Sequence, residues 1–408
     1  MPIDSREQLI HVLTEAAEIE HNLLCSYLYA MFSLKRDGEP GLSAKQSHAV
    51  ERWRKIVLTI ALEEMAHLAS VNNLLLAVGG APHFDRPNFP VAPGYHPAEL
   101  VVRLTPFNEA TLDHFIFLER PEGMELEDGA GFVASGSERV TPVQGLTPSA
   151  EDYATVGALY DSLAQGFRVL ADQLGEAVLI DPSGHAQMDS ATIKLPGVGK
   201  VTDLRGALAI IELIKEEGEG ATSETENSHF MRFMEIKREW AALRAEDPSF
   251  EPAWPAAHDP VMRKPDNESE RVWVTDERTA SYLDLANAIY GTMLIVLSQA
   301  FASPDASEKE VLMRISVELM EASAAVSTAL ARMPASPKRP EVNAGMSFAV
   351  PRNSAFRPTA GNGRQIFLER LHELRTGASA VLSGTVGEKS LRRLTNAAEL
   401  ADGSRSPD

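Results

Sequence analysis

The 408-residue sequence contains one cysteine, Cys25, which excludes an intrachain disulfide. Such usage suits a reducing compartment, and a cytoplasmic location is expected. Basic residues are in short supply. Lys and Arg number 38 against 58 Asp and Glu, for a net charge of −20. A nucleic acid or an anionic membrane would want a basic face, so neither is expected as a partner. The opening stretch MPIDSREQLI lacks a positive segment followed by an apolar one, so no secretory signal is expected. Long apolar runs are missing too. The longest candidate for a membrane span, LLLAVGGAP, stops at Gly79-Gly80. No repeat recurs at a fixed period. What is present is a 44% share of hydrophobic residues, enough for a sizeable core, and carboxylates in excess, available for cations. The length implies one elaborated domain or two.

Helical periodicity dominates the chain. A first helix starts near Asp4-Ser5, where Ser5 and Gln8 fit a capping box. Leu9, Leu13, Ala16, Glu20, Leu24, Tyr27 and Met31 then share one face, until RDGEPG (36–41) breaks it. A second helix runs over about 45–78, with the stripe Val50, Trp53, Val57, Ile60, Glu64, His67, Val71, Leu74 and Val78. Residues 83–150 read as a Pro/Gly-rich insert, with a strand candidate at ELVVRLTPF and a loop at EGMELEDGAGFVASGSE. Further helices are expected over about 151–174, 203–219, 224–245, 276–301, 307–333 and 364–383. A loop with a short hairpin is expected near 180–200, a proline-rich wrap over 246–274, and a polar tail after 383. This gives 1–275 as a helical bundle with inserts (83–200), 276–335 as packing helices, and 336–408 as loop, last helix and tail.

The unusual feature is ionisable residues on apolar stripes. Glu20 lies on the first helix, Glu64 and His67 on the second, Glu226 and His229 on the fourth. Glu-x-x-His places both side chains on one helix face, about one turn apart. Two such pairs and one Glu from each of two other helices form the donor set of a dimetal carboxylate site in a four-helix bundle. A lone Glu-x-x-His is ordinarily a solvated pair; two of them, with matching glutamates in order, point to metal. On the third helix, Glu219 falls closest to the apolar face, with Glu216 as the alternate or supporting group. Buried carboxylates crowded together repel, and divalent cations remove that cost. Mixed oxygen and imidazole donors suit iron or manganese. Glu64 and Glu226 are assigned as bridges, His67 and His229 as nitrogen donors, and Glu20 and Glu219 as terminal carboxylates. Tyr27, two turns from Glu20, reads as core or as a support to the metals. Cys25, Trp53 and Trp240 read as packing residues. His21 reads as a surface or supporting group, and Glu217 and Glu235 as solvent-facing.

The stretches EIEHNLLCSYLYAMFSLK, ALEEMAHLASVNNLLLAVGGAP and EEGEG before SHFMRF resemble the ferritin-like domain of the iminophenyl-pyruvate dimer synthase type. FLERPEG (117–123), TVGALYDSL (155–163) and FEPAWPAAHDP (250–260) add to the likeness, which covers about residues 8–260 and continues more faintly to about 350. It implies a mainly α, ferritin-like four-helix bundle with loop-rich insertions and extra C-terminal helices. It also implies metal-dependent oxidation in natural-product biosynthesis. Glu20, Glu64, His67, Glu219, Glu226 and His229 match the metal-ligand positions.

The expected function is a non-haem dimetal oxidase or oxygenase, with two iron (or manganese) ions and dioxygen as co-substrate. Its substrate is expected to be a small organic molecule, an aromatic amino acid or a derived imine. An electron donor and a homodimer are expected partners. The alternatives are a manganese catalase-like peroxide dismutase and non-enzymatic metal storage. The insert 83–150 is the expected substrate cover.

Overall fold

The computed structural model describes residues 3–92, 94–97, 100–121, 123–132, 146–218, 228–267, 270–353 and 360–404. The chain forms two compact units. The first comprises 1–82, 91–102 and 107–253, and the second 83–90, 103–106 and 254–408.

In the first unit, α1 (Arg6–Ser33) starts where local chemistry dictates. Ser5 caps it, its hydroxyl accepting from the Gln8 amide while the Gln8 side chain accepts from the Ser5 amide. This pairs two of the donors that a helix start leaves open. α2 (Ala44–Ala77) repeats the device with Ser43 and Gln46. Every residue of the two expected stripes is buried, the charged members included. After α2 the chain turns away at Gly79, whose φ of +85° a residue with a Cβ rarely adopts. α1 and α2 run antiparallel. Arg6 at the start of α1 donates to the Val78 carbonyl at 2.9 Å, and Ser47 near the start of α2 bonds Asp37 beyond the end of α1.

Around this pair lie α3 (Glu109–Leu118), α4 (Val156–Leu174), α5 (Glu176–Leu179), α6 (Ser190–Ile193), α7 (Leu204–Glu217) and α8 (His229–Glu246). α3 packs on α8, α4 on α1 and α7, and both α7 and α8 touch α2. An aromatic cluster fixes one end. Trp53 stacks on Trp240 at 5.7 Å, Phe107 on Trp240 at 5.3 Å, and Phe250 lies 6.0 Å from Trp53. The Trp53 indole N–H donates to Glu239, so the buried ring carries no orphan donor.

Several expectations change here. ELVVRLTPF forms no strand among its described residues, and the Pro/Gly-rich insert holds a helix, the ten-residue α3, that its composition does not announce. Its start is set by Asn108, whose side chain accepts from the Thr111 amide. The loop after it packs tightly on α3: a Cβ at Gly129 would come within 2.0 Å of the Ala110 carbonyl oxygen. The hairpin expected near 180–200 is replaced by the short helices α5 and α6. The fourth helix starts at His229, not 224, because Ser228 is an extended N-cap (ψ 156°). The helical link assumed between Glu226 and His229 is therefore broken at Ser228, and Glu226 itself lies outside the described residues.

The second unit contains β1 (Pro260–Val261) paired parallel with β2 (Val272–Trp273), and β3 (Pro334–Ser336) antiparallel to β4 (Arg339–Asn343). Its helices are α9 (Glu277–Ala302), α10 (Ala306–Leu330), α11 (Ala360–Val381) and α12 (Gly384–Asp402). α10 packs on α9 and α12, and α11 on α9 and α12. Residues 254–274 of the proline-rich wrap belong to this unit and are bonded into it. Asp259 accepts from Arg103 and from the Leu104 amide, and the Thr275 amide donates to the Ala335 carbonyl. Residues 285–302 of α9 carry no charge and outrun LLLAVGGAP. By length and composition α9 could cross a membrane, yet 72% of its apolar window is buried inside the protein, as in a core helix.

The expected polar tail is instead α12. Its buried face joins Leu394 and Leu400 to Gly387, Ser390, Ala397, Ala398 and Ala401, mostly small residues that a hydropathy reading passes over. Leu394 is fully buried. Leu394→Ala is expected to cost about 2–5 kcal/mol in chemical denaturation. A cost below about 0.5 kcal/mol, the range of surface substitutions, would contradict a packed α12.

Candidate metal centre

α1, α2, the end of α3 and the start of α8 bring five donors together. Glu20, Glu64 and His67 form one group, and Glu64, Glu119 and His229 a second. In each group the donor atoms lie within 4.8 Å of one another, and all five side chains are buried. Glu64 belongs to both. Its Oε2 lies 3.2 Å from His67 Nδ1 and its Oε1 3.0 Å from His229 Nδ1, one oxygen per group. The imidazoles sit 5.7 Å apart between centroids, inclined by 29°.

The two groups mirror one another in their outer contacts. Tyr160 donates its hydroxyl to Glu20 Oε1, and Tyr27 donates to Glu119 Oε1. The second oxygens turn inward: Glu20 Oε2 lies 3.5 Å from His67 Nδ1, and Glu119 Oε2 lies 3.3 Å from His229 Nδ1. Outside the rings, His67 Nε2 meets Glu217 at 2.9 Å and His229 Nε2 meets Glu63 at 3.2 Å.

The electrostatics are those of a centre built for positive charge. Burial, reinforced by the Glu64 charge, pushes the Glu20 carboxyl up to about 7 against the pull of His67. Burial acts on Glu64 in the same direction, but His229 and His67 outweigh it and hold its carboxyl well below the usual range. Both imidazoles are raised well above their ordinary value: burial opposes this, and the surrounding carboxylates overcome it. Glu119 Oε2 and His229 Nδ1, though buried and 3.3 Å apart, form no hydrogen bond. Buried polar atoms aimed at one another without a bond fit a cation between them. Carboxylate oxygens and imidazole nitrogens are a donor chemistry for iron or manganese.

A cavity of about 20 Å³ adjoins the centre, with Val156, Gly157 and Tyr160 of α4 on one wall and Ile214 and Gly218 on another. It has room for about one water-sized molecule.

The structure thus brings together Glu20, Glu64, His67 and His229 from the expected set. Tyr27 sits against Glu119. Glu219 and Glu226 lie outside the described residues. Glu216 is exposed on α7 and turned away from the centre. One residue along, Glu217 turns toward it and contacts His67, contrary to its expected solvent-facing role. His21 is buried, which removes the surface member of its two readings, and Cys25 is buried as a packing residue. Glu119 and Tyr160 escaped the sequence reading. Glu119 follows Leu112 and Phe115 at helical spacing, a short signal inside the Pro/Gly-rich insert. Tyr160 lies on the stripe Val156, Leu159, Leu163, where a tyrosine reads as core.

A family model described as ferritin-like matches residues 13–238. The chain belongs to the ferritin-like family. The matched span runs from α1 into α8 and includes every donor of the centre. This ferritin-like chain is 28% identical to dichlorochromopyrrolate synthase of Lentzea aerocolonigenes, over 96% of its own length and 40% of that protein's. It is also 28% identical to 2-imino-3-(indol-3-yl)propanoate dimerase of Chromobacterium violaceum, over 78% of its length and 31% of that protein's. It spans less than half the length of either relative. A solved ferritin-like protein from Caulobacter vibrioides matches 77% of this chain and 96% of its own, at 17% identity and a TM-score of 0.48. The motif resemblance to an imine dimer synthase is met by the second curated relative, an imine dimerase by name.

Protons hold the donors of the metal-free protein, so cations must displace them. Apparent affinity for Mn(II) is expected to fall as pH drops through about 7, where Glu20 takes up its proton. The fall approaches about tenfold per pH unit for each proton displaced. Calorimetric titration between pH 6 and 8 measures this; a flat affinity across that interval contradicts it.

Proposed function

We propose that this protein is a non-haem dimetal oxidase acting on an aromatic amino-acid-derived imine. The observation that carries the reading is the shared carboxylate: Glu64 offers one oxygen to each of two buried groups that each hold a second carboxylate and an imidazole. Iron or manganese ions bound there would supply redox chemistry and pass electrons from the substrate to dioxygen. Glu20 and Glu64 with His67 would hold one ion, and Glu64 and Glu119 with His229 the other. The substrate class is suggested by the names of the two curated relatives, one of them a dimerase of an indolyl imine. An electron donor enters the proposal only if oxygenation, not oxidation, is the outcome.

The chain's own residues prepare the site. The Tyr160 and Tyr27 hydroxyls hold the outer oxygens of Glu20 and Glu119, which leaves the inner oxygens directed at the centre. Both tyrosines are buried, so neither hydroxyl brings water with it. Val156, Ile214 and Leu23 line the adjoining cavity with apolar surface and restrict solvent there.

A second reading, peroxide dismutation at a dimanganese centre, is favoured by that cavity. Its volume of about 20 Å³ suits a molecule of peroxide size. Under the oxidase reading, a substrate the size of an indole lies outside this cavity.

Reconstitution with Fe(II) under anaerobic conditions should load about two ions per chain. Glu64→Ala and His229→Ala should each lose bound metal while helical circular dichroism persists. The loaded protein should consume oxygen when given the imine of indole-3-pyruvate. Full metal content in both variants would sink the site; peroxide turnover without oxygen uptake would transfer the case to the second reading.

A further inference from the structure

Neither Glu217 nor Glu63 belongs to the two donor groups, yet each contacts one of their imidazoles on the side away from the centre. His67 turns Nδ1 toward Glu20 and Glu64, and its Nε2 is 2.9 Å from Glu217 Oε2. His229 turns Nδ1 toward Glu64 and Glu119, and its Nε2 is 3.2 Å from Glu63 Oε2, an ion-pair distance without the hydrogen-bond geometry of the His67–Glu217 contact. We infer that Glu217 and Glu63 are paired positioning residues, each setting one imidazole so that Nδ1 serves one cation. The inference rests on the dimetal reading above and adds two residues to it.

The chemistry requires such groups. A neutral imidazole that binds a cation through Nδ1 must carry its proton on Nε2. A carboxylate that accepts from that N–H fixes the tautomer and the ring plane, and makes Nδ1 more basic. Without it, the ring can turn or carry its proton on the wrong nitrogen.

The two carboxylates are held by separate means, so each acts on its own ring. Glu63 precedes Glu64 in α2 and therefore points about 100° away from it. It is anchored by an ion pair with Arg232 of α8. Glu217 is the last residue of α7, with a side chain 38% exposed. The neighbouring Lys215 is engaged by Asp161 at 2.7 Å. Glu217 thus depends on where α7 ends, and Glu63 on how α2 meets α8.

Separate anchoring predicts separate effects. Stepwise Co(II) or Mn(II) titration of the full chain, followed by calorimetry and by the Co(II) visible spectrum, should resolve two binding steps. Glu217→Leu should weaken one step by about 10–100-fold and leave the other unchanged. Glu63→Leu should weaken the other step by a similar factor. Glu217→Gln, which still accepts the Nε2 proton, should recover most of the loss. The double variant should weaken both steps, with thermal melting of the metal-free single variants close to wild type. If wild type takes up no metal pair, the dimetal reading itself has failed. If wild type loads two ions while both Leu variants load equally well, or both weaken the same step, only the positioning role is overturned.

Discussion

The constraint on which this structure depends is the cost of placing carboxylates where water cannot reach them. Glu20, Glu64 and Glu119 are each at most 2% exposed. An ion taken from water into a protein interior costs several kcal/mol even after relaxation. The chain meets that cost with imidazoles on the inward oxygens, tyrosine hydroxyls on the outward ones, and a donor arrangement suited to two cations. Without cations the balance is met by protons, which is why Glu20 and both histidines shift upward together. The fold serves this arrangement. Two long antiparallel helices, each fixed at its start by a capping box, set Glu20 level with Glu64 and His67, and shorter elements deliver Glu119 and His229 to the other side.

Much of this was legible in the sequence, for a specific reason. α1 and α2 are 28 and 34 residues long, so their apolar periodicity repeats many times and a charged residue on the stripe stands out. Glu20, Glu64 and His67 were visible for that reason. The family, and with it the mainly α fold, followed from the same stretches. Short elements were opaque. α3 offers fewer than three turns inside a proline- and glycine-rich region, so its pattern never rises above the loop composition around it, and Glu119 went with it. α12 was hidden differently: apart from Leu394 and Leu400 its buried face is glycine, serine and alanine, which hydropathy alone does not separate from a polar tail.

The glutamates after residue 211 show the limit of angular reasoning. Projection on an ideal helix places Glu219 ahead of Glu216 and gives Glu217 to solvent. In the structure α7 ends at Glu217, and a residue at a helix terminus is free to turn in a way that projection does not describe. Contact with His67 then depends on which helix lies opposite, a tertiary fact. The same holds for Tyr27 and Tyr160. Their burial follows from pattern, but the carboxylate each one bonds follows only from packing.

The most direct test of the central claim is a crystal structure of the metal-loaded protein with anomalous scattering measured at the metal edge. The account predicts two neighbouring anomalous peaks, one contacted by Glu20, Glu64 and His67 and the other by Glu64, Glu119 and His229. A single peak, peaks elsewhere on the surface, or a loaded protein in which Glu64 touches no metal would contradict it.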